Sequence, residues 1–158
     1  MNTNRLTKVE LDPAGLAPPT PEVEQERKVA LFDLLEENTF APAGEDVPEG
    51  PYHLHLAIKD RRLVFDLRTE SGEQAGELHL SLSPFRQVIK DYFQICEAYY
   101  DAVKRLAPSQ IEAIDMGRRG IHDEGSRLLL ERLEGKVVTD HATARRLFTL
   151  ICVLHFKG

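Results

Sequence analysis

Residues 52–82 read YHLHLAIKDRRLVFDLRTESGEQAGELHLSL, and this stretch decides the fold. In three successive runs the apolar side chains recur at every second position, which is the period of a strand with one buried face. The runs are separated by residues 59–61 and by residues 70–76, whose glycines supply flexible turn positions. The pattern predicts an antiparallel meander of three strands with one leucine-rich face.

Patterns on either side of the meander complete the predicted architecture. Residues 5–11 alternate in the same way and predict a fourth strand. Helices are predicted where a capping residue precedes apolar residues at helical spacing, namely after Thr20, Ser83, Ser109 and Asp140. The sequence therefore predicts an α+β fold, a four-stranded, mainly antiparallel sheet packed by about four helices. We expect a single domain over residues 1–158, with the second and fourth helices on the leucine face and the first at its edge.

The connection at residues 38–51 is rich in proline and glycine and carries several acids. It shows neither the period of a strand nor that of a helix, so we predict a surface loop. Loops longer than about 12 residues are often exposed connectors or lids over a site, and both interpretations stay open.

Composition limits the class of protein. The chain has 158 residues, of which 42% are hydrophobic and 29% charged, values typical of one globular domain with its own core. The most apolar stretch, residues 147–156, is about half as long as a membrane-spanning helix, and residues 1–12 lack the apolar segment of a secretory signal. Cys96 and Cys152 lie in apolar helical patterns and are predicted to be buried thiols, so we expect a cytoplasmic location. The net charge of -6 disfavours nucleic acid as a partner.

The most unusual segment is MGRRGIHDEG at residues 116–125, where three glycines are interleaved with charged residues. Each glycine inside a helix costs about 1 kcal/mol relative to alanine, so we expect these positions to serve a turn, a close backbone approach or an exposed ligand contact. The predicted ligand-binding or partner-binding residues are Gly117, Arg118, Arg119, Gly120, His122, Asp123 and Glu124.

The conformation of this segment decides what its side chains do, and two alternatives stay open. In a helix, Asp115, Arg119 and Asp123 share one face and would form a row of ion pairs. In a loop, the amides and both guanidinium groups would cradle an anion, since arginine donates two parallel hydrogen bonds to phosphate or carboxylate. A purely structural interpretation pairs Arg118 and Arg119 with neighbouring acids, so that they pin two helices together.

Several established chemistries are excluded by missing residues. The glycine spacing at residues 120–125 is that of a P-loop, but the following lysine and the preceding strand are absent. The His-x-Glu of zinc deaminases occurs at His122 without the accompanying Pro-Cys-x-x-Cys. The histidines at 53, 55 and 79 alternate with leucines, so they are predicted to form a polar face pointing away from the core rather than a metal site. No cofactor and no metal are predicted.

Extended runs of this chain resemble a known family. They are PSQIEAIDMGRRGIHDEGS at residues 108–126, SLSPFR at residues 81–86 and the stretch at residues 144–155. In these runs the chain is similar to the alphaproteobacterial uncharacterised protein family 0262, and the similarity covers nearly its whole length. The resemblance implies a bacterial, cytoplasmic context, and it brings no activity and no catalytic residues.

Two hypotheses of function follow from the glycine-spaced segment. The first is a non-enzymatic module that contacts a partner protein or a small anionic ligand through residues 117–125. The second is an enzyme acting on a phosphorylated or carboxylated metabolite, with His122, Asp123 or Glu124 as acid and base groups. The aromatic and apolar positions of the last three helices are also compatible with a homodimer.

Overall fold

The elements of the protein follow the predicted order with two additions. The computed structural model describes residues 3–14 and 16–156. Its strands are β1 (Leu6–Leu11), β2 (Phe40–Pro42), β3 (Tyr52–Lys59), β4 (Arg62–Thr69), β5 (Gln74–Ser81) and β6 (Val137–Thr139). Its helices are α1 (Pro21–Glu36), α2 (Arg86–Arg105), α3 (Pro108–Leu133) and α4 (His141–His155), and a short 3-10 turn, Ser83–Phe85, leads into α2.

The main sheet has the strand order β1-β3-β4-β5. The pairs β3–β4 and β4–β5 are antiparallel, while β1 lies parallel to β3 at the edge. Asp60 and Arg61 have φ of 52° and 62°, the left-handed pair that closes a tight two-residue hairpin with the twist of its strands. The prediction of an α+β fold with a four-stranded, mainly antiparallel sheet is confirmed.

The hydrophobic core lies between the leucine face of the sheet and the helices. Helix α4 is the central helix, since it contacts α1 on one side, α3 on the other and β3 beneath. Every residue from Leu150 to Leu154 is buried, which explains why this helix shows little polar face in the sequence. Helix α1 contacts the edge strand β1, as predicted, whereas α2 makes its largest contact with α3.

The prediction of a surface loop at residues 38–51 is wrong for residues 38–42. Strand β2 pairs antiparallel with β6, and Phe40 is fully buried and stacked against Phe65 with ring centroids 6.2 Å apart. Asn38 is buried too, and its amide exchanges hydrogen bonds with both backbone groups of Leu6. Strands of three residues are too short to display a period, which is why the pattern missed both β2 and β6.

Two of the four predicted helix caps, Ser83 and Ser109, are wrong. Ser83 opens the 3-10 turn, and α2 begins at Arg86 without a side-chain cap. Thr20 and Asp140 cap α1 and α4, each accepting a hydrogen bond from the backbone amide three residues on. Ser109 does not cap α3, because that helix already begins at Pro108, and the Gln110 side chain accepts the hydrogen bond of the Ala107 amide instead. In the part of the chain that the structure describes, no helix has the length and apolar character needed to cross a membrane.

Candidate functional site

Helix α3 runs unbroken through residues 116–125, so the helical alternative describes this segment. Its residues divide between two faces. Arg118 and His122, one turn apart, are partly buried against neighbouring helices, whereas Arg119, Gly120 and Glu124 are exposed. The helix therefore separates residues that the sequence had grouped as one site.

Two of the three glycines in this segment permit close helix packing. A Cβ atom on Gly125 would lie 2.2 Å from Cζ of Phe148 in α4, and one on Gly117 would lie 2.9 Å from Cδ1 of Ile95 in α2. At Gly120 a Cβ atom would meet nothing within 4 Å. The packing of α3 against α2 and α4 offsets the helix-breaking tendency of Gly117 and Gly125.

Arg118 and Arg119 share one carboxylate. Arg118 donates to Asp115 Oδ1 from Nε at 3.1 Å and from Nη2 at 2.6 Å, and Arg119 Nη2 lies 2.8 Å from Asp115 Oδ2. The hydrogen bond from Arg118 lowers the pKa of Asp115. Both pairs lie within α3, so they do not join two helices in the way that the purely structural interpretation required. The contact between helices is made by the Arg118 guanidinium over the Tyr99 ring of α2, 4.1 Å from its centroid.

Next to Arg118 of α3, a partly buried polar cluster is formed by Glu26 of α1 and by Tyr92 and Cys96 of α2. The Tyr92 hydroxyl donates to Glu26 Oε1 at 2.9 Å. Burial raises the pKa of Glu26, and the Tyr92 hydrogen bond and the Arg118 charge oppose that rise. Burial, reinforced by the Glu26 charge, also raises the pKa of the Cys96 thiol to about 11, so that the thiol stays protonated. Sequence reasoning missed this cluster because its members are far apart in the chain.

His122 is held by two hydroxyl groups. Ser126 Oγ donates to the His122 carbonyl oxygen at 2.7 Å, which leaves its lone pairs to accept from His122 Nδ1 at 3.4 Å. His122 Nε2 then accepts from the Thr149 hydroxyl at 2.8 Å. Burial, followed by the charges of Arg145 and Arg118, lowers the pKa of His122 to about 4. The imidazole is therefore neutral near pH 7.

His122 and Thr149 line an open cleft between α1, α3 and α4. The cavity has a volume of about 340 Å³, within the range of about 300–1,000 Å³ typical of small-molecule sites. Its α1 wall carries acidic, polar and apolar side chains, and its α4 wall is basic. The lining residues are Gln25, Glu26, Val29, Ala30, Asp33, His122, Arg145, Arg146 and Thr149.

The other predicted acid and base residues do not join His122 in this cleft. Asp123 lies 3.1 Å from Arg127 Nε, 3.3 Å from His141 Nε2 and 3.8 Å from Arg145 Nη1. Glu124 is exposed on the outer face of α3. The carboxylates that do line the cleft, Glu26 and Asp33, come from α1, which the sequence analysis did not include in the site.

The histidines of the sheet lie on the face opposite the core. His53 and His55 are partly exposed and His79 is exposed, and each lies within 4 Å of a carboxylate, on Glu70, Asp12 and Glu77 respectively. Within residues 3–14 and 16–156, no three His, Cys, Asp or Glu side chains are placed to hold a metal ion.

Comparison with known proteins identifies relatives along the full chain. A model of the Uncharacterised protein family (UPF0262) matches residues 3–157. A UPF0262 protein of Roseobacter denitrificans is 70% identical over 98% of this chain and 99% of its own length. Those of Jannaschia sp. and Paracoccus denitrificans are 72% and 63% identical, covering 96% and 97% of this chain and 97% and 96% of their own lengths. No solved structure matches the chain. The extent and level of this identity show that the chain belongs to the family UPF0262.

Proposed function

We propose that the protein is a non-enzymatic module that binds a small anionic ligand in the cleft between α1, α3 and α4. The observation that carries this proposal is the convergence of Arg145, Arg146, His122 and Thr149 on one open cavity. The sequence left open whether a small anionic ligand or a partner protein binds here. A concave cleft of this size favours a small molecule. The 117–125 segment contributes His122 to the lining of the cleft. Arg118 lies outside this lining, and its positive charge acts on Glu26.

The basic wall of the cleft is available to a ligand. Among the described residues Arg146 forms no ion pair, and the nearest carboxylate to Arg145 is that of Asp123 at 3.8 Å, too far for a hydrogen bond. A guanidinium group matches the geometry of carboxylate and phosphate oxygens and donates two parallel hydrogen bonds to them. Two such groups on adjacent positions of α4 would bind one anionic group.

The remaining groups restrict the shape of the ligand. Glu26 and Asp33 on the α1 wall would repel a second anionic group, so the far end of the ligand is neutral or carries a hydrogen-bond donor. Val29 and Ala30 offer apolar surface to its carbon atoms. His122, neutral and already bonded to Thr149, acts as a fixed hydrogen-bonding group rather than as a base.

The test is ligand titration of the wild type beside an Arg145→Ala/Arg146→Ala variant, with inorganic phosphate, butanoate and 4-aminobutanoate as probes, since the two organic probes carry a single carboxylate and a neutral or hydrogen-bond-donating far end. Measured by calorimetry, the wild type should bind at least one probe, and the variant should bind that probe about tenfold more weakly or not at all. Arg119→Ala is the matched control, because it removes an exposed arginine of α3 that does not line the cleft. Equal affinity in the double variant, or no wild-type binding at millimolar probe, contradicts the proposal.

An enzyme is the second candidate, and one contact favours it. The 2.8 Å hydrogen bond between Thr149 Oγ1 and His122 Nε2 pairs a hydroxyl with an imidazole inside a cleft that also holds Glu26. The low pKa of His122 counts against it, since a weak base removes a hydroxyl proton poorly near pH 7. Turnover of p-nitrophenyl phosphate or p-nitrophenyl acetate that is lost in Thr149→Val would replace the binding proposal with this one.

A further inference from the structure

A second cavity lies on the other side of Glu26, between α1, α2 and the carboxyl-terminal end of α4. Its volume is about 480 Å³. Aromatic side chains form much of its wall, and Phe93 and Phe156 lie against each other there, with ring centroids 6.1 Å apart. Glu26 lines both this cavity and the cleft beside His122, but the two basic residues of that cleft are absent from this one. Its chemistry is therefore different.

We propose that this second cavity binds a hydrophobic cation, a small molecule with an aromatic or aliphatic body that carries one ammonium group. Carboxylates outnumber basic side chains in its lining: Glu22, Glu26, Glu97 and Asp101 stand against Lys104 and His155. Asp101 is already neutralised by Arg105, which donates to both of its oxygen atoms. Three carboxylates, one ammonium group and the imidazole of His155 are left.

Two of these carboxylates are available to a ligand. Glu22 and Glu97 are exposed at the cavity, and in the described part of the chain neither forms an ion pair. Glu26 is deeper and accepts the hydrogen bond of Tyr92. A ligand ammonium group would meet Glu22 and Glu97 at the surface, and its apolar body would lie toward the aromatic wall.

The negative charge of Glu26 acts on the aromatic wall of the cavity. Tyr100 lies in its wall, and burial raises the pKa of its phenol; the negative charge of Glu26 adds to this rise, and the positive charge of Arg118 opposes it. Burial disfavours a phenolate and an ammonium ion alike, whereas the charge of Glu26 disfavours only the phenolate and attracts an ammonium group. Phe93, Tyr100 and Phe156 offer aromatic surface to the apolar body of the ligand.

Three probes of matched shape test the proposal: 4-phenylbutylamine, 4-phenylbutanol and 4-phenylbutanoate, titrated calorimetrically at about 50 mM salt to limit screening. We expect the amine to bind at least about tenfold more tightly than the alcohol, and the carboxylate to bind most weakly. Equal binding of amine and alcohol would leave an apolar cavity without selectivity for charge. Equal or tighter binding of the carboxylate would reverse the assignment. Either result overturns the proposal.

Surface variants assign the binding to this cavity. Glu22→Gln/Glu97→Gln keeps size and polarity at two exposed positions, and we expect it to weaken amine binding about tenfold while the alcohol is unaffected. Lys104→Gln, which removes the opposing ammonium group, should strengthen amine binding. The Arg145→Ala/Arg146→Ala variant should leave amine binding unchanged, so failure of the anion cleft and failure of this cavity are distinguishable. Unaltered amine affinity in the Glu22→Gln/Glu97→Gln variant contradicts the proposal.

Discussion

The inner and outer faces of α3 carry the same kinds of residue in opposite environments. On the inner face, the Arg118 side chain is 24% exposed and stacks on Tyr99; on the outer face, that of Arg119 is 74% exposed. Both pair with Asp115. Gly125 touches Phe148 on one face, while Gly120 on the other has open space around it. Composition alone therefore assigns no role to an arginine or a glycine, because the face of the helix decides it.

Replacing Gly125 tests the inner face with the largest expected effect. An alanine Cβ atom would lie 2.2 Å from the Phe148 ring, so α3 and α4 would have to move apart or the ring would have to leave its place in the core. We expect Gly125→Ala to lower the free energy of unfolding by about 3 kcal/mol, the upper part of the range for overpacked cores. Urea unfolding measures the change, and a loss below about 0.5 kcal/mol would contradict the close packing of these helices.

Acidification tests the burial of His122 on the same face. Its pKa is about 4 in the folded protein and about 6.5 in the unfolded chain, so between these pH values the unfolded state binds a proton that the folded state lacks. The free energy of unfolding therefore falls as the pH is lowered from 6.5 to 4, by an amount on the order of 2 kcal/mol for this residue.

The contribution of His122 is isolated by difference. The same pH series on His122→Asn, which cannot take up a proton, should show a smaller decline over this window, because all other titrating groups are shared. Identical pH dependence in the two proteins would show that His122 is accessible to solvent when the protein is folded.

Much of the fold was predictable, because its elements are long enough to display a period. The meander of β3, β4 and β5 and the apolar stripe of α2 follow from local alternation and spacing. Strands β2 and β6 were missed, since their pairing joins Phe40 to Thr139 across the chain and no local pattern reports it.

The site was predicted less well than the fold. Its residues in α3 were found by composition, and their division between faces follows only once the buried positions Leu129 and Leu133 are projected backward by fours to Gly125. The contact of Tyr92 with Glu26 spans 66 positions and depends on how α1 packs against α2. Spacing carries no information about such a contact.

The two arginines that share Asp115 give the next comparison. Arg118→Ala removes the partly buried ion pair and the contact with Tyr99, and we expect it to lower the free energy of unfolding by about 1–2 kcal/mol. Arg119→Ala removes the same charge from the same carboxylate at an exposed position, so its effect should stay within about 0.5 kcal/mol. Equal effects in thermal or urea unfolding would show that the two faces do not differ.

The smallest expected effect has the opposite sign. Gly120 lies inside α3, and a Cβ atom added there would have no neighbouring atom within 4 Å, so alanine fits without displacing any side chain. Because alanine reduces the freedom of the unfolded chain and favours helix, Gly120→Ala should raise the free energy of unfolding by about 0.5–1 kcal/mol, with an unchanged denaturant slope. Destabilisation at this position would mean that residues 116–125 leave the helical conformation in solution. The glycines would then serve the loop that anion cradling by backbone amides requires.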